Sequence, residues 1–132
     1  MADLNIPFGA EAVAWTVDID GVTYRPFLVG TGGQLLVAVR APAAIANGSV
    51  TVGVASTQVR ASTPTRVYAA FVNDSDTTIY LALEDAAVLN AGIRLNAAGG
   101  SYEITQLNPW TGAVNAICSV AGKVLTYLEG TA

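Results

Sequence analysis

The sequence predicts an all-β protein, a β-sandwich or a barrel. Short apolar runs recur at roughly ten-residue spacing from residue 66 to residue 129, the rhythm of strands joined by turns. Gly, Asn or Asp stands at most of the breaks, and these residues tolerate turn conformations. Stretches such as Ser49-Val-Thr-Val-Gly-Val alternate with period two, as a half-buried strand does.

The elements follow in order. Residues 1 to 11 read as an extended arm, because Pro7 and Gly9 oppose regular structure. Within it Leu4, Ile6 and Phe8 alternate, which suits a strand added to a neighbour's sheet edge. Val13–Ile19 and Val22–Val29 form two strands around Asp20-Gly21, a hairpin signal because both residues accept positive φ. Pro26 cannot donate to a ladder, so the second strand is an edge or bends there. Residues 31–34 make a turn and Leu35–Arg40 a third strand. Residues 41–48 are a small-residue connection, and Ser49–Val54 is a strand. Residues 56–65 continue as strand and loop. Further strands are expected at 66–73, 78–84, 93–96, 101–106, 113–119 and 123–129. Glu84–Gly92 is compatible with a helical turn closed by Gly92. This divides the chain into an arm and hairpin region over 1–55 and a sandwich over 56–132, or makes it one compact unit.

Hydrophobic residues make up 52% of the chain and charged residues 12%. An average domain carries about 25% charge. So little polar side chain remains to cover a lone monomer, and a homo-oligomer or lattice-bound state is expected. The net charge is −4, and the six basic residues are scattered singly, which argues against nucleic acid as a partner. No window has eighteen consecutive apolar residues, so no membrane-spanning helix is expected. The N-terminus lacks the charged and apolar regions of a secretory leader, and folding in a cytoplasm is expected.

Catalytic and metal chemistry lack their usual groups. There is no histidine, and the single Cys118 lies in an apolar run, which reads as a small buried hydrophobe. Asp18-Ile-Asp20-Gly and Asn73-Asp-Ser-Asp76 resemble calcium-loop fragments, yet the complete twelve-residue spacing is missing. They read as turns. Glu84 and Asp85 are adjacent, so in a strand they would point to opposite faces and share no substrate. Gly30-Thr-Gly-Gly and Ala98-Gly-Gly-Ser match no phosphate-binding pattern. No enzyme, no cofactor and no metal site are expected. Trp110 differs from the other aromatics. It sits in the loop Asn108-Pro-Trp-Thr-Gly, where it can anchor a partner or simply pack.

From Thr57-Gln-Val through the strand ending Asn73-Asp-Ser, then Thr78-Ile-Tyr-Leu, Ala98-Gly-Gly-Ser-Tyr-Glu, Pro109-Trp-Thr-Gly-Ala-Val and Gly122-Lys-Val-Leu-Thr-Tyr-Leu-Glu, the chain resembles small β-rich virion proteins of tailed bacteriophages. These are of the capsid decoration or head-fibre type. The stretch 84–92 is Ala-rich where that pattern has a Gly/Ser loop, and residues 1 to 56 lie outside the resemblance. The resemblance implies a jelly-roll-like sandwich and a non-enzymatic role as a decoration (cement) protein on the capsid surface. Its partners would be the major capsid protein and further copies of itself, with a trimer favoured. Leu4, Ile6, Phe8 and Trp110 are the interface candidates. The alternatives are a tail or head–tail component, or a carbohydrate- or receptor-binding module using Trp110 and Tyr102.

Overall fold

The computed structural model describes residues 12–17, 24–29 and 40–132. The chain divides into two units, Met1–Val39 and Arg40–Ala132. In the first, β1 (Ala12–Val17) and β2 (Tyr24–Val29) pair antiparallel. Val17 lies opposite Tyr24 and Ala12 opposite Val29. The register is centred between residues 20 and 21. Residues 18–23 themselves lie outside the described residues. Pro26 is the register partner of Trp15, and among the described residues this sheet has only two strands, so a residue without a donor can sit on an outer edge.

The second unit holds β3 (Ala44–Val52), β4 (Thr57–Arg60), β5 (Arg66–Asn73), β6 (Ile79–Leu83), β7 (Ile93–Leu95), β8 (Ser101–Ile104), β9 (Val114–Cys118) and β10 (Lys123–Thr131). Every pairing is antiparallel and the pairs are nested: β3 with β10, β4 with β9, β5 with β8, β6 with β7. Two further pairings, β10 with β5 and β9 with β6, complete two sheets ordered β3-β10-β5-β8 and β4-β9-β6-β7. Eight strands in this order are a jelly roll, a long hairpin rolled into two sheets.

The sequence builds the layers by alternation. In β5, Ala69, Phe71 and Asn73 are buried and the residues between them are not. Phe71, Leu125 and Val52 come from the first sheet. Ile79, Leu81, Leu95, Val114, Ala116 and Cys118 come from the second and meet them in one core. Each large aliphatic buried here contributes about 1.5–3 kcal/mol. Cys118 is fully buried, as its apolar setting predicts.

Three expectations need correcting or placing. Residues 44–48, read as a connection, are strand: β3 starts at Ala44, and its whole length is laddered to β10. Consequently β3 belongs with residues 40–132, and the unit boundary falls at 39/40. Residues 84–92 contain no helix. One Ala91 N–H to Val88 C=O bond of 3.2 Å closes a single turn, and Glu84, Asn90 and Gly92 have φ of 72°, 62° and 78°. Left-handed residues at both ends of so short a segment break a helical path. The strand expected at Leu35–Arg40 lies outside the described residues up to Val39. Arg40 is not in a strand. Its N–H donates to Gln106 Oε1 at 3.0 Å, and its carbonyl accepts from Gln106 Nε2.

Candidate functional site

Among the described residues, no three His, Cys, Asp or Glu side chains come together to hold a metal ion. The Asn73–Asp76 segment is a structural turn. Asn73 is fully buried, and its Nδ2 donates to the carbonyls of Thr77 (2.8 Å), Leu95 (3.1 Å) and Asn96 (3.1 Å). Its Oδ1 accepts from the Ser75 hydroxyl at 2.7 Å. One side chain thus joins the β5–β6 turn to the β7–β8 turn, where Ala98 and Gly99 take positive φ. Asp76 points outward to Lys123 at 2.5 Å, and this hydrogen bond holds its carboxyl below the ordinary range. Asp18 and Asp20 lie outside the described residues.

The two aromatics named as binding candidates, Trp110 and Tyr102, pack against the core. Trp110 is half-buried against the core, and its Nε1 donates to the Ala113 carbonyl at 3.0 Å. Tyr102 pairs with Phe71 across β8 and β5 and packs on the same core. Glu84 is taken up locally, with Oε2 accepting from Ala113 N–H at 3.2 Å. Leu4, Ile6 and Phe8 lie outside the described residues.

A buried ionic cluster, unmarked by any sequence motif, joins Arg60, Arg66 and Glu129. Glu129 on β10 is 3% exposed. Its Oε1 accepts from Arg66 Nε at 2.7 Å, and its Oε2 accepts from Arg60 Nη2. Arg66, whose side chain is fully buried, spends its other donors on the carbonyls of Gly112 (2.7 Å), Trp110 (3.2 Å) and Ala61 (2.7 Å). Arg60 stacks on the Tyr127 ring, 4.7 Å from its centroid. Burial is the largest influence on the Glu129 carboxyl and by itself would raise its pKa. The hydrogen bonds and charges of Arg60 and Arg66 together outweigh it and hold the group below the ordinary range. The same bond to Glu129 raises Arg60. These residues come from β4, β5 and β10, so the cluster clamps the two sheets and the 110–112 loop together. It offers no open acid or base for chemistry.

The two sheets differ on their outer sides. Loop 84–92 is pinned to the second sheet: Asn115 Nδ2 donates to the carbonyls of Glu84 (3.2 Å) and Asp85 (2.8 Å), and Ala87 N–H to Ser56 Oγ (2.8 Å). The outer face of the first sheet presents Ile45, Asn47, Ser49 and Thr51 from β3. Beside them stand Val124, Thr126 and Leu128 from β10, then Tyr68, Ala70 and Val72 from β5. Ser101 and Glu103 of β8 complete it. Of these strand residues Glu103 alone is ionised. A shallow groove of about 230 Å³ runs over it, lined by Asn47, Ala70, Val72, Thr126, Tyr127 and Leu128.

No protein-family model, curated protein or solved structure matches this chain. The jelly-roll assignment rests on strand order and register.

Proposed function

We propose that this protein is a bacteriophage capsid decoration protein, a non-enzymatic homo-oligomer that binds the outside of the major capsid shell and stabilises it. The observation that carries the reading is the nearly uncharged outer face of the β3-β10-β5-β8 sheet, with its shallow apolar groove. A surface of this kind gains free energy when covered, at about 25 cal/mol per Å² of apolar area before association costs. Repetition over a lattice multiplies a modest site affinity into stable attachment. The resemblance of residues 57–129 to virion proteins supplies the shell as the partner. Fold alone would not, since jelly rolls host many functions. Trp110 and Tyr102 pack partly against the core, which lends a glycan-binding module less support than two free loop aromatics would.

The test is co-sedimentation with expanded capsid shells. Wild-type protein should pellet with shells and raise their disruption temperature. Ala70→Lys places a charge in the groove without entering the core, and should keep its melting temperature but lose shell binding. Wild-type protein that stays in the supernatant at saturating shell concentration would refute the role. Undiminished binding by Ala70→Lys would refute the face.

A further inference from the structure

The two sheets end in four edge strands: β3, β8, β4 and β7. Natural sheets protect such edges with short length, charge, proline or a bulge, because an open ladder recruits other strands. Three of these edges are protected in that way. β8 has four residues and carries Glu103. β7 has three and carries Arg94. β4 has four, carries Arg60, and shifts register between Gln58 and Arg60. β3 has none of these devices. It runs nine residues, Ala-Ile-Ala-Asn-Gly-Ser-Val-Thr-Val, without a charge, a proline or a break in its ladder to β10. Among the described residues nothing pairs with its outer side. Residues 44–49 are exposed on both faces, Ile45 by 63%.

We propose that β3 pairs antiparallel with β3 of a second copy, about a two-fold axis at Gly48, joining two four-stranded sheets into one. The strand is complementary to itself about that centre. On the inner face, Val50 and Val52 stand at one end and the small Ala44 and Ala46 at the other. Antiparallel pairing about Gly48 sets Val52 against Ala44 of the second copy and Val50 against Ala46, large against small. On the outer face it sets the β-branched Ile45 against the β-branched Thr51, and the polar Asn47 against the polar Ser49. At the axis a residue meets itself, and glycine brings no side chain there. The inner space beneath Gly48 is already filled by Tyr127, whose hydroxyl would lie 2.9 Å from an added Cβ. An isologous contact sets each charge near its own copy, and a nine-residue strand without charge escapes that repulsion. A two-fold contact closes at two chains, in place of the trimer that the sequence led us to expect. The pairing does not depend on the capsid role.

Sedimentation equilibrium of the full chain, with paired variants, tests both the contact and its register. Wild type should weigh two chains. Asn47→Lys with Ser49→Lys puts lysine opposite lysine twice across the axis. Asn47→Glu with Ser49→Lys puts opposite charges there instead. Both positions are exposed, and their β10 partners Leu128 and Thr126 are uncharged, so either variant should fold. The dissociation constant of the Lys/Lys variant should exceed that of the Glu/Lys variant by about tenfold or more. Amide exchange at residues 45–51 should also slow as wild-type concentration rises. A monomer or a trimer of the wild type, or equal constants for the two variants, would overturn the proposal. So would β3 amides protected equally at all concentrations, which would mean that another segment of the same chain covers the edge. Protection that appears only when shells are added would assign the edge to a capsid strand instead.

Discussion

Replacing Glu129 by Gln removes the one negative charge between two guanidinium groups. Arg66 keeps its bonds to the Gly112, Trp110 and Ala61 carbonyls, but these carry only partial charges. The Gln amide must also set its NH₂ or its oxygen toward Arg60, and only the oxygen can accept. Removing one partner from a buried ion pair costs about 3–5 kcal/mol. Arg60 is 26% exposed and water relieves part of its charge, so the low end, about 3 kcal/mol, applies. For a domain of this size each kcal/mol lowers Tm by about 4–8 °C. Thermal melts at neutral pH should therefore show Glu129→Gln lower by about 12 °C or more. The pH profile gives a second reading. The folded carboxyl lies below its ordinary value, so its contribution is complete above the ordinary carboxylate pKa, about 4.3. It is lost as pH falls through the lower folded value. The gap between wild type and variant should narrow over that acid window. A neutral-pH Tm within about 3 °C of wild type, or a gap that does not change with acid, would refute the electrostatic account of the clamp.

Asn73→Asp changes almost no volume but aims a carboxylate oxygen at the Thr77, Leu95 and Asn96 carbonyls; denaturant titration should show a loss of about 3 kcal/mol or more at neutral pH, partly recovered in acid as the group protonates. Gly92→Ala should lower stability by at least ~1 kcal/mol, because φ is +78° and a Cβ would collide with the Leu81 carbonyl oxygen; an unchanged midpoint would contradict that geometry. Trp110→Ala should cost about 2 kcal/mol of folding stability, below the roughly 3–5 kcal/mol of a fully buried Trp because the ring is only half-buried, and shell binding by the fraction still folded then reports any anchoring contribution. Lys123→Ala breaks an ion pair whose Asp76 is exposed, so chemical denaturation should move by less than ~0.5 kcal/mol.

The strands that the sequence made legible are those bounded by turn residues. β5 was read to the residue and β6 to β10 within about two, since Asn73-Asp, Gly92, Gly99-Gly100 and Gly122 punctuate them. The first half of β3 was illegible because Ala-Ile-Ala-Asn-Gly has little strand preference of its own. Its conformation is imposed by β10, a partner far along the chain. The 84–92 segment misled for the opposite reason: Ala-rich composition favours a helix, while Asn115 and Ser56 hold its backbone in another path. The Arg60–Glu129–Arg66 cluster left no local trace. Its members are single charges in three separate strands, and only the rolled topology brings them within bonding distance. Trp110 was found as a candidate from its loop, but a loop position does not say which way a ring points.

The nested pairing has a mechanical consequence. Ala44 begins the unit's first strand and lies across from Thr131 at the end of its last. Force applied to the chain on both sides of the unit would therefore pull two neighbouring strand ends apart crosswise. The β3–β10 bonds would break singly, as a zipper opens, and not together in shear. The innermost pair, β6 with β7, is the most local in sequence and would be the last to feel the load. The unit would yield to tension at low force from its outside inward, with the buried Glu129 clamp near the entrance as the first strong catch. A strand laid along the outer side of β3 would add a second ladder beside that opening edge and stiffen it.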